Sequence, residues 1–211
     1  MISVSEYKKD PCGTLSIPYY KARRIGIPEG VRVVHARDFN GVPDGCADEL
    51  YFRLLHDLKE LPEVHSARFA VRTAGVEDIP LIADIIDRSY EDMSVSAERL
   101  LLMRECAEFS PDLWIVAFDK ESMLAAACGI AELDRKTGEG SLEWIQVLPG
   151  YRRRGAGSLI VAELLDRLRG KAAFVTVSGK QRDPLRPEAL YRKCGFKGSD
   201  IWHVIREIKS V

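Results

Sequence analysis

Residues 141–157 read SLEWIQVLPGYRRRGAG, and they are the most informative part of the sequence. An apolar strand ends at Val147, a Pro-Gly corner turns the chain, and a helix opens after Gly157. Three arginines and a Gly-x-Gly lie between the corner and the helix. Glycine lets the backbone approach a ligand closely, and the free N–H groups of a helix N-terminus attract anions. Arginine adds bidentate contacts, so the stretch predicts a turn that holds a phosphate.

Two nucleotide-binding motifs match this stretch only in part. Gly150-x-x-x-x-Gly155 has P-loop spacing, but Ala156 and Gly157 stand where Lys and Ser/Thr are required. Gly155-x-Gly157 begins a dinucleotide fingerprint, but Ile160 occupies the third glycine position and no acidic residue ends the next strand. A nucleotide-dependent enzyme of either type is therefore disfavoured.

A third pattern fits the stretch position by position. It is Arg/Gln-x-x-Gly-x-Gly/Ala after a strand that ends Val-x-Pro, and it matches Val147, Pro149, Arg152, Gly155 and Gly157. On these residues the chain resembles the GNAT superfamily of N-acetyltransferases, which use acetyl-CoA as co-substrate. The resemblance covers roughly residues 67–208.

A second motif supports the same resemblance. Residues 187–196 read PEALYRKCGF and look like the Leu-Tyr-x-x-x-Gly-Phe close of a GNAT domain. Pro187 suits the first position of a helix and Gly195 its C-terminal end. The resemblance implies that Tyr191 lies beside the sulfur of CoA. Family members often carry an asparagine where this chain has Pro184, so that amide's contact is absent or supplied differently.

Hydrophobic periodicity from residue 67 onward predicts an element order. It runs strand, two helices, three antiparallel strands, helix, strand, helix, strand. The helix over 76–90 carries an apolar stripe of Ile79, Ile82, Ile85 and Ile86, and Ser96 is expected to cap the second helix, to about Glu108. The resemblance implies an α/β (mixed α+β) GNAT fold, with a mostly antiparallel sheet and helices on both faces.

Residues 1–66 lie outside that order and are expected to form an N-terminal extension to an acetyltransferase domain at 67–211. A strand is predicted over 31–36, after a Pro-Glu-Gly turn. An amphipathic helix is predicted over 46–61, stopped by Pro62, with one apolar stripe formed by Leu50, Leu54, Leu58 and Leu61. This face must pack on the body or on the second subunit of a homodimer. The extension is either structural or a wall or lid of the acceptor pocket.

The resemblance also implies a set of cofactor contacts. The pantetheine arm of acetyl-CoA follows the backbone of Ile145, Gln146 and Val147, with the Ile145 N–H as an oxyanion donor worth about 3 kcal/mol. Its pyrophosphate falls on the residues after the corner, which are Arg152, Arg153, Arg154, Gly155, Ala156, Gly157 and Ser158.

Glu143 is the candidate general base. Strand alternation is expected to place Ser141, Glu143, Ile145 and Val147 on one face and Trp144 on the other. A carboxylate within an apolar strand requires a functional or structural explanation, because burying an unpaired charge destabilises the fold. Water-mediated proton removal from an amine is one reason, and a structural salt bridge is the other.

Tyr191 is the candidate acid for the leaving sulfur, by family analogy, since a phenol stays protonated at neutral pH. Its alternative role is aromatic packing. Cys194 raises the possibility of an acyl-cysteine intermediate, but direct attack in a ternary complex is the family norm.

Composition narrows the function classes further. The 211 residues are 46% hydrophobic with a formal charge of −1, which argues against general nucleic-acid binding. No apolar run approaches a membrane span, and the four histidines lack metal spacing. Five scattered cysteines favour free thiols in a reducing cytoplasm.

The resemblance implies an acyltransferase, and the composition predicts a cytoplasmic protein that needs no metal. It is expected to move an acetyl group from acetyl-CoA to the primary amine of a small molecule or a protein. The alternative is a non-catalytic regulatory module that keeps the fold and binds CoA. The acceptor itself is not readable from the sequence.

Overall fold

The computed structural model describes residues 3–16, 27–89 and 94–208. Its strands are β1 (Val31–His35), β2 (Cys46–His56), β3 (Phe69–Thr73), β4 (Trp114–Asp119), β5 (Ala125–Asp134), β6 (Glu139–Val147), β7 (Phe174–Lys180) and β8 (Lys197–Glu207). Its α-helices are α1 (Val4–Tyr7), α2 (Ile79–Asp87), α3 (Ala97–Met103), α4 (Ala156–Leu168) and α5 (Pro187–Lys193). From β3 onward this is the element order that the periodicity predicts. The chain divides into two compact units.

One unit comprises residues 57–175 and 193–195. Its strands lie in the order β6-β5-β4-β3, and every neighbouring pair is antiparallel. One sheet face is covered by α2 and α3, where the stripe of Ile79, Ile82, Ile85 and Ile86 is fully buried, as predicted. On the other face α4 packs closely, because a Cβ on Gly129 would stand 2.5 Å from the Ile160 side chain. The mixed α/β class with helices on both faces is confirmed.

Local signals define the ends of two of these helices. Pro80 lies in the first turn of α2, which follows a 3₁₀ turn at Val76–Asp78. Residue 90, where the predicted helix ends, lies outside the described residues. The Ser96 side chain accepts a hydrogen bond from the Arg99 N–H and so caps α3. However, α3 ends at Met103 rather than near Glu108.

The other unit comprises residues 1–56, 176–192 and 196–211, within the described ranges. Its strands lie in the order β1-β8-β2-β7, and β8 pairs antiparallel with both β1 and β2. The segment at residues 3–16 contacts β8 through Trp202, whose indole donates to the Cys12 carbonyl at 3.0 Å. The predicted strand at 31–36 is confirmed as β1, which follows Gly30 at φ 72°.

The helix predicted over 46–61 is wrong, because residues 46–56 form β2. The predicted stripe of Leu50, Leu54, Leu58 and Leu61 is therefore not a helix face. Leucines at intervals of four also share one face of a strand, because four is twice the strand period. Phe52 and His56 of β2 are 1% and 2% exposed. β2 pairs with β8 from Cys46 to Arg53, and the register shifts between Arg53 and Leu55.

Strands β1 and β2 lie in the same compact unit as the C-terminal strand β8. The expected boundary at residue 66 stays a prediction. Among residues 3–16, 27–89 and 94–208, no helix is long and apolar enough to cross a bilayer. The same part of the chain contains no cluster of three metal-ligating side chains. All five cysteines are free thiols.

Candidate active site

The predicted phosphate-binding residues form a tight turn between β6 and α4; residues 152–158 are called the phosphate turn below. A 3₁₀ turn at Pro149–Tyr151 follows β6, and α4 begins at Ala156. Arg153 and Gly155 have left-handed backbones, with φ of 61° and 92°. Backbone N–H groups at a tight turn with left-handed residues can line one concavity, which favours an anion.

The phosphate turn presents a row of unused backbone donors. Gly155 is the N-cap of α4 and supplies no side-chain hydrogen bond to the helix start. The first intrahelical bond runs from the Leu159 N–H to the Gly155 carbonyl at 3.0 Å. Within the described part of the chain, the N–H groups of residues 153–158 have no backbone or side-chain acceptor. Because the first N–H groups of a helix need an external partner, this row can bind phosphate oxygens.

Arg152 has a different role from its arginine neighbours. Its Nε donates to the Val147 carbonyl at 3.2 Å, and its Nη2 donates to the Ser89 carbonyl at 3.0 Å. The guanidinium therefore joins the end of β6 to the segment that follows α2. Arg153 and Arg154 are exposed to solvent. Their guanidinium groups are therefore accessible to a bound phosphate.

A β-bulge interrupts β6 at Glu143. Ile130 of β5 pairs with Trp144 and Ala131 pairs with Leu142, so Glu143 is an extra residue with no cross-strand partner. Beyond the bulge the alternation of faces is inverted. Ser141 therefore shares a face with Trp144 and Gln146, not with Ile145 and Val147, and the expectation of one continuous face is wrong.

The bulge places the Glu143 carboxylate next to Ser141. Its Oε1 accepts a hydrogen bond from the Ser141 hydroxyl at 2.5 Å, and the Glu143 side chain is exposed. It forms no ion pair with any residue in the described ranges. The structural salt bridge is absent there, and no cost of burial applies to this carboxylate. No sequence signal indicates the bulge, because Ser-x-Glu also fits the regular alternation of a strand and the extra residue is set by the register with β5.

Tyr191 lies on α5 and belongs to the unit that contains β2 and β8. It is 7% exposed, and its ring centre lies 6.1 Å from that of Phe52 and 5.7 Å from that of Phe196. The Phe196 N–H donates to the Tyr191 carbonyl at 3.1 Å, and Gly195 has φ 93°. This hydrogen bond and the left-handed glycine explain the Tyr-x-x-x-Gly-Phe spacing, since the glycine reverses the chain after the helix.

Two cysteines near the site are buried thiols. Burial raises the pKa of the Cys194 thiol to about 11, against smaller opposing effects from Lys193 and a hydrogen bond with Ser158. Burial also raises the pKa of Cys128, on β5, to about 12. Both thiols are neutral at physiological pH and are poor nucleophiles in that form.

Comparison with known proteins agrees with this arrangement. A sequence model described as the acetyltransferase (GNAT) family matches residues 79–196, more than half of the chain. No protein of curated function matches the sequence.

Solved structures share the fold at low identity. A GCN5-related N-acetyltransferase from Sphaerobacter thermophilus is 18% identical with a TM-score of 0.66, over 79% of this chain and 54% of that one. The chain thus spans about half the length of that protein. The ribosomal-protein-S18-alanine N-acetyltransferase of Escherichia coli is 19% identical with a TM-score of 0.52, over 68% of this chain and 96% of that one. Ard1 of Thermoplasma volcanium is 16% identical with a TM-score of 0.54, over 68% of this chain and all of that one.

The phosphate turn, the Tyr-x-x-x-Gly-Phe close and the matching sequence model all lead to one conclusion: the chain belongs to the acetyltransferase (GNAT) family.

Proposed function

We propose that this protein is an N-acetyltransferase that moves the acetyl group of acetyl-CoA to a primary amine by direct attack. The observation that carries the proposal is the row of N–H groups at residues 153–158, which lacks acceptors in the described part of the chain. Such a row suits the pyrophosphate of CoA, because its donors lie at a helix start without a side-chain cap.

The residues of the site have separate roles in this proposal. The phosphate turn holds the pyrophosphate, and the backbone of Ile145, Gln146 and Val147 holds the pantetheine arm. The bound co-substrate supplies an activated thioester carbonyl. The Ile145 N–H stabilises negative charge on the carbonyl oxygen, as an oxyanion donor does.

Proton transfer falls to two side chains. Glu143 accepts the proton of the attacking amine, directly or through water, since its carboxylate is exposed and bound by Ser141 alone within the described ranges. Tyr191 donates its hydroxyl proton to the leaving sulfur, a role assigned on the likeness of its motif. Direct attack is favoured over an acyl-cysteine because the Cys194 thiol has a pKa of about 11.

Calorimetry with acetyl-CoA tests the cofactor assignment. Gly157→Glu places a carboxylate in the phosphate turn, and we expect affinity to fall at least tenfold, as for the loss of one or more charge-assisted bonds. Ala70→Glu adds the same charge at an exposed position of β3 and should bind as the wild type does. Equal affinity in all three proteins, or tighter binding of ATP or NAD than of acetyl-CoA, would overturn the assignment.

An amine-library screen with thiol release as readout tests the reaction. Acetyl-CoA binding together with turnover on at least one primary amine supports the proposal. Tight binding with no turnover on any amine would favour the non-catalytic CoA-binding module instead.

A further inference from the structure

Two buried nitrogen donors on the α2/α3 face of the sheet have no acceptor. They are Nη1 of Arg104 and Nε1 of Trp114, and neither has a hydrogen-bond partner among the residues that the structure describes. The Arg104 guanidinium carbon lies 5.6 Å from the centre of the Trp114 ring and 4.6 Å from that of Phe109. A buried donor without an acceptor destabilises a fold. Two on adjoining side chains indicate a group that is bound from outside.

The chemistry of the two donors selects a carboxylate. A guanidinium presents parallel N–H groups that match both oxygens of a carboxylate, and an indole offers one further N–H. Arg104 has no ion pair within the described ranges, and its guanidinium rests on aromatic rings. A water molecule or a neutral carbonyl would accept hydrogen bonds there, but neither would balance the positive charge.

The Trp114 donor lies on the same face of the sheet as Ser141, whose hydroxyl binds the candidate base Glu143. Trp114 of β4 pairs with Ile130 of β5, which pairs with Trp144 of β6, so the three side chains share a face. Ser141, whose hydroxyl binds Glu143, lies on this face as well. β4 and β6 are separated by two strand spacings, which is roughly 10 Å.

We propose that Arg104 and Trp114 bind a carboxylate of the acceptor, and that the acceptor is an amino-carboxylate whose amine lies several bonds from that carboxylate. An ω-amino acid has this form, and so does free lysine, whose ε-amine lies several bonds from its own carboxylate. The proposal rests on the proposed function, because it takes Glu143 as the group that meets the amine.

Access to the donors depends on Arg104. It is the C-cap residue of α3 and is half-buried, so part of its side chain reaches solvent. Its contacts are with the ring faces of Phe109 and Trp114, which hold a cation only weakly. The proposal requires this side chain to rotate, so that the guanidinium and the indole N–H meet the same ligand.

Steady-state kinetics with paired substrates test the assignment. We expect kcat/KM for 6-aminohexanoate to exceed that for 6-aminohexanamide by about 10- to 100-fold, the effect of charge-assisted hydrogen bonds. Arg104→Gln should abolish this preference, mainly through KM. Arg99→Gln, an exposed position on the same helix, should keep it. Equal rates for the two amines in the wild type would overturn the proposal.

Binding can be followed without turnover through the indole N–H resonances of the three tryptophans. Trp114→Phe identifies the resonance of Trp114. Adding 6-aminohexanoate should shift that resonance in the wild type but not in Arg104→Gln, and hexylamine should leave it in place. No shift at tens of millimolar 6-aminohexanoate would overturn the carboxylate site. Failure of acetyl-CoA to bind would instead overturn the proposed function and leave this result standing.

Discussion

Glu143 combines three properties that a proton acceptor needs. It is the extra residue of a β-bulge, its side chain is exposed, and its carboxylate is bound by the Ser141 hydroxyl at 2.5 Å. Bulges occur beside active sites because they re-aim a side chain without disturbing the rest of the ladder. The bulge thus gives Glu143 a position that strict alternation would not.

Glu143→Gln should lower kcat by about 10²–10⁴-fold, because the amide keeps the shape and removes the proton acceptor. Acetyl-CoA affinity should not change. Glu121→Gln alters an exposed glutamate of the β4–β5 turn and serves as the control. Wild-type kcat in Glu143→Gln would show that the amine loses its proton to another group.

Tyr191→Phe removes only the hydroxyl and keeps the ring among Phe52 and Phe196. We expect acetyl-CoA binding and thermal stability to survive while turnover falls about 10²–10⁴-fold. Calorimetry and thiol-release kinetics on the same preparation separate the two effects. Unchanged turnover would mean that Tyr191 is a packing residue and that water protonates the sulfur.

At the scale of elements, the start of α4 requires glycine at position 155 for its backbone conformation and not for lack of room for a side chain. A Cβ on Gly150 or on Gly155 would meet nothing within 4 Å, but only Gly155 has a positive φ, of 92°. The two glycines therefore form a matched pair that isolates backbone strain from steric clash.

Gly155→Ala should lower the free energy of unfolding by about 1–2 kcal/mol, the cost of a left-handed backbone for an L-residue. Gly150→Ala should be neutral or slightly stabilising, since it reduces the entropy of the unfolded chain. Urea denaturation of both variants measures the difference. Equal effects would contradict the assignment of strain to Gly155.

Strand β2 depends on burial of its inward side chains. Leu54 is fully buried, so Leu54→Asp should place an unpaired charge in the core and cost about 3 kcal/mol or more. Lys59→Asp, beyond the strand with its side chain 82% exposed, should change stability by less than about 0.5 kcal/mol. Similar melting temperatures for the two variants would contradict the buried position of Leu54.

At the scale of the molecule, two N-terminal strands pair with β8, the last strand of the sheet in chain order. β1 and β2 pair with opposite edges of β8, and Trp202 and Ile205 of β8 are each 2% exposed. We propose that residues 1–66 are a structural extension to the acetyltransferase domain at 67–211. Its role is to satisfy both edges of β8.

A chain that starts at Ser66 should therefore lose solubility or melt at a lower temperature, because β8 keeps neither strand partner. Circular dichroism and gel filtration measure both properties. A truncated protein that is soluble, monodisperse and equally heat-stable would refute the structural role. Acetyl-CoA binding with relaxed amine selectivity would instead assign the extension to the acceptor pocket.

Features that depend on neighbours along the chain could be predicted from the sequence. The phosphate turn, the Tyr-x-x-x-Gly-Phe close and the buried isoleucine stripe of α2 appear where their motifs predict them. Glycine conformation, helix capping and helical periodicity act within a few residues, so they are legible without knowledge of the fold.

Three features follow instead from contacts between distant parts of the chain. Leucines at intervals of four fit a helix and a strand equally, and only pairing with β8 made residues 46–56 a strand. The bulge at Glu143 depends on its register with β5, which inverts the faces of β6 beyond it. The unsatisfied donors of Arg104 and Trp114 likewise meet only because α3 packs on β4. Such features depend on contacts between residues far apart in sequence, and a pattern read along one chain does not contain them.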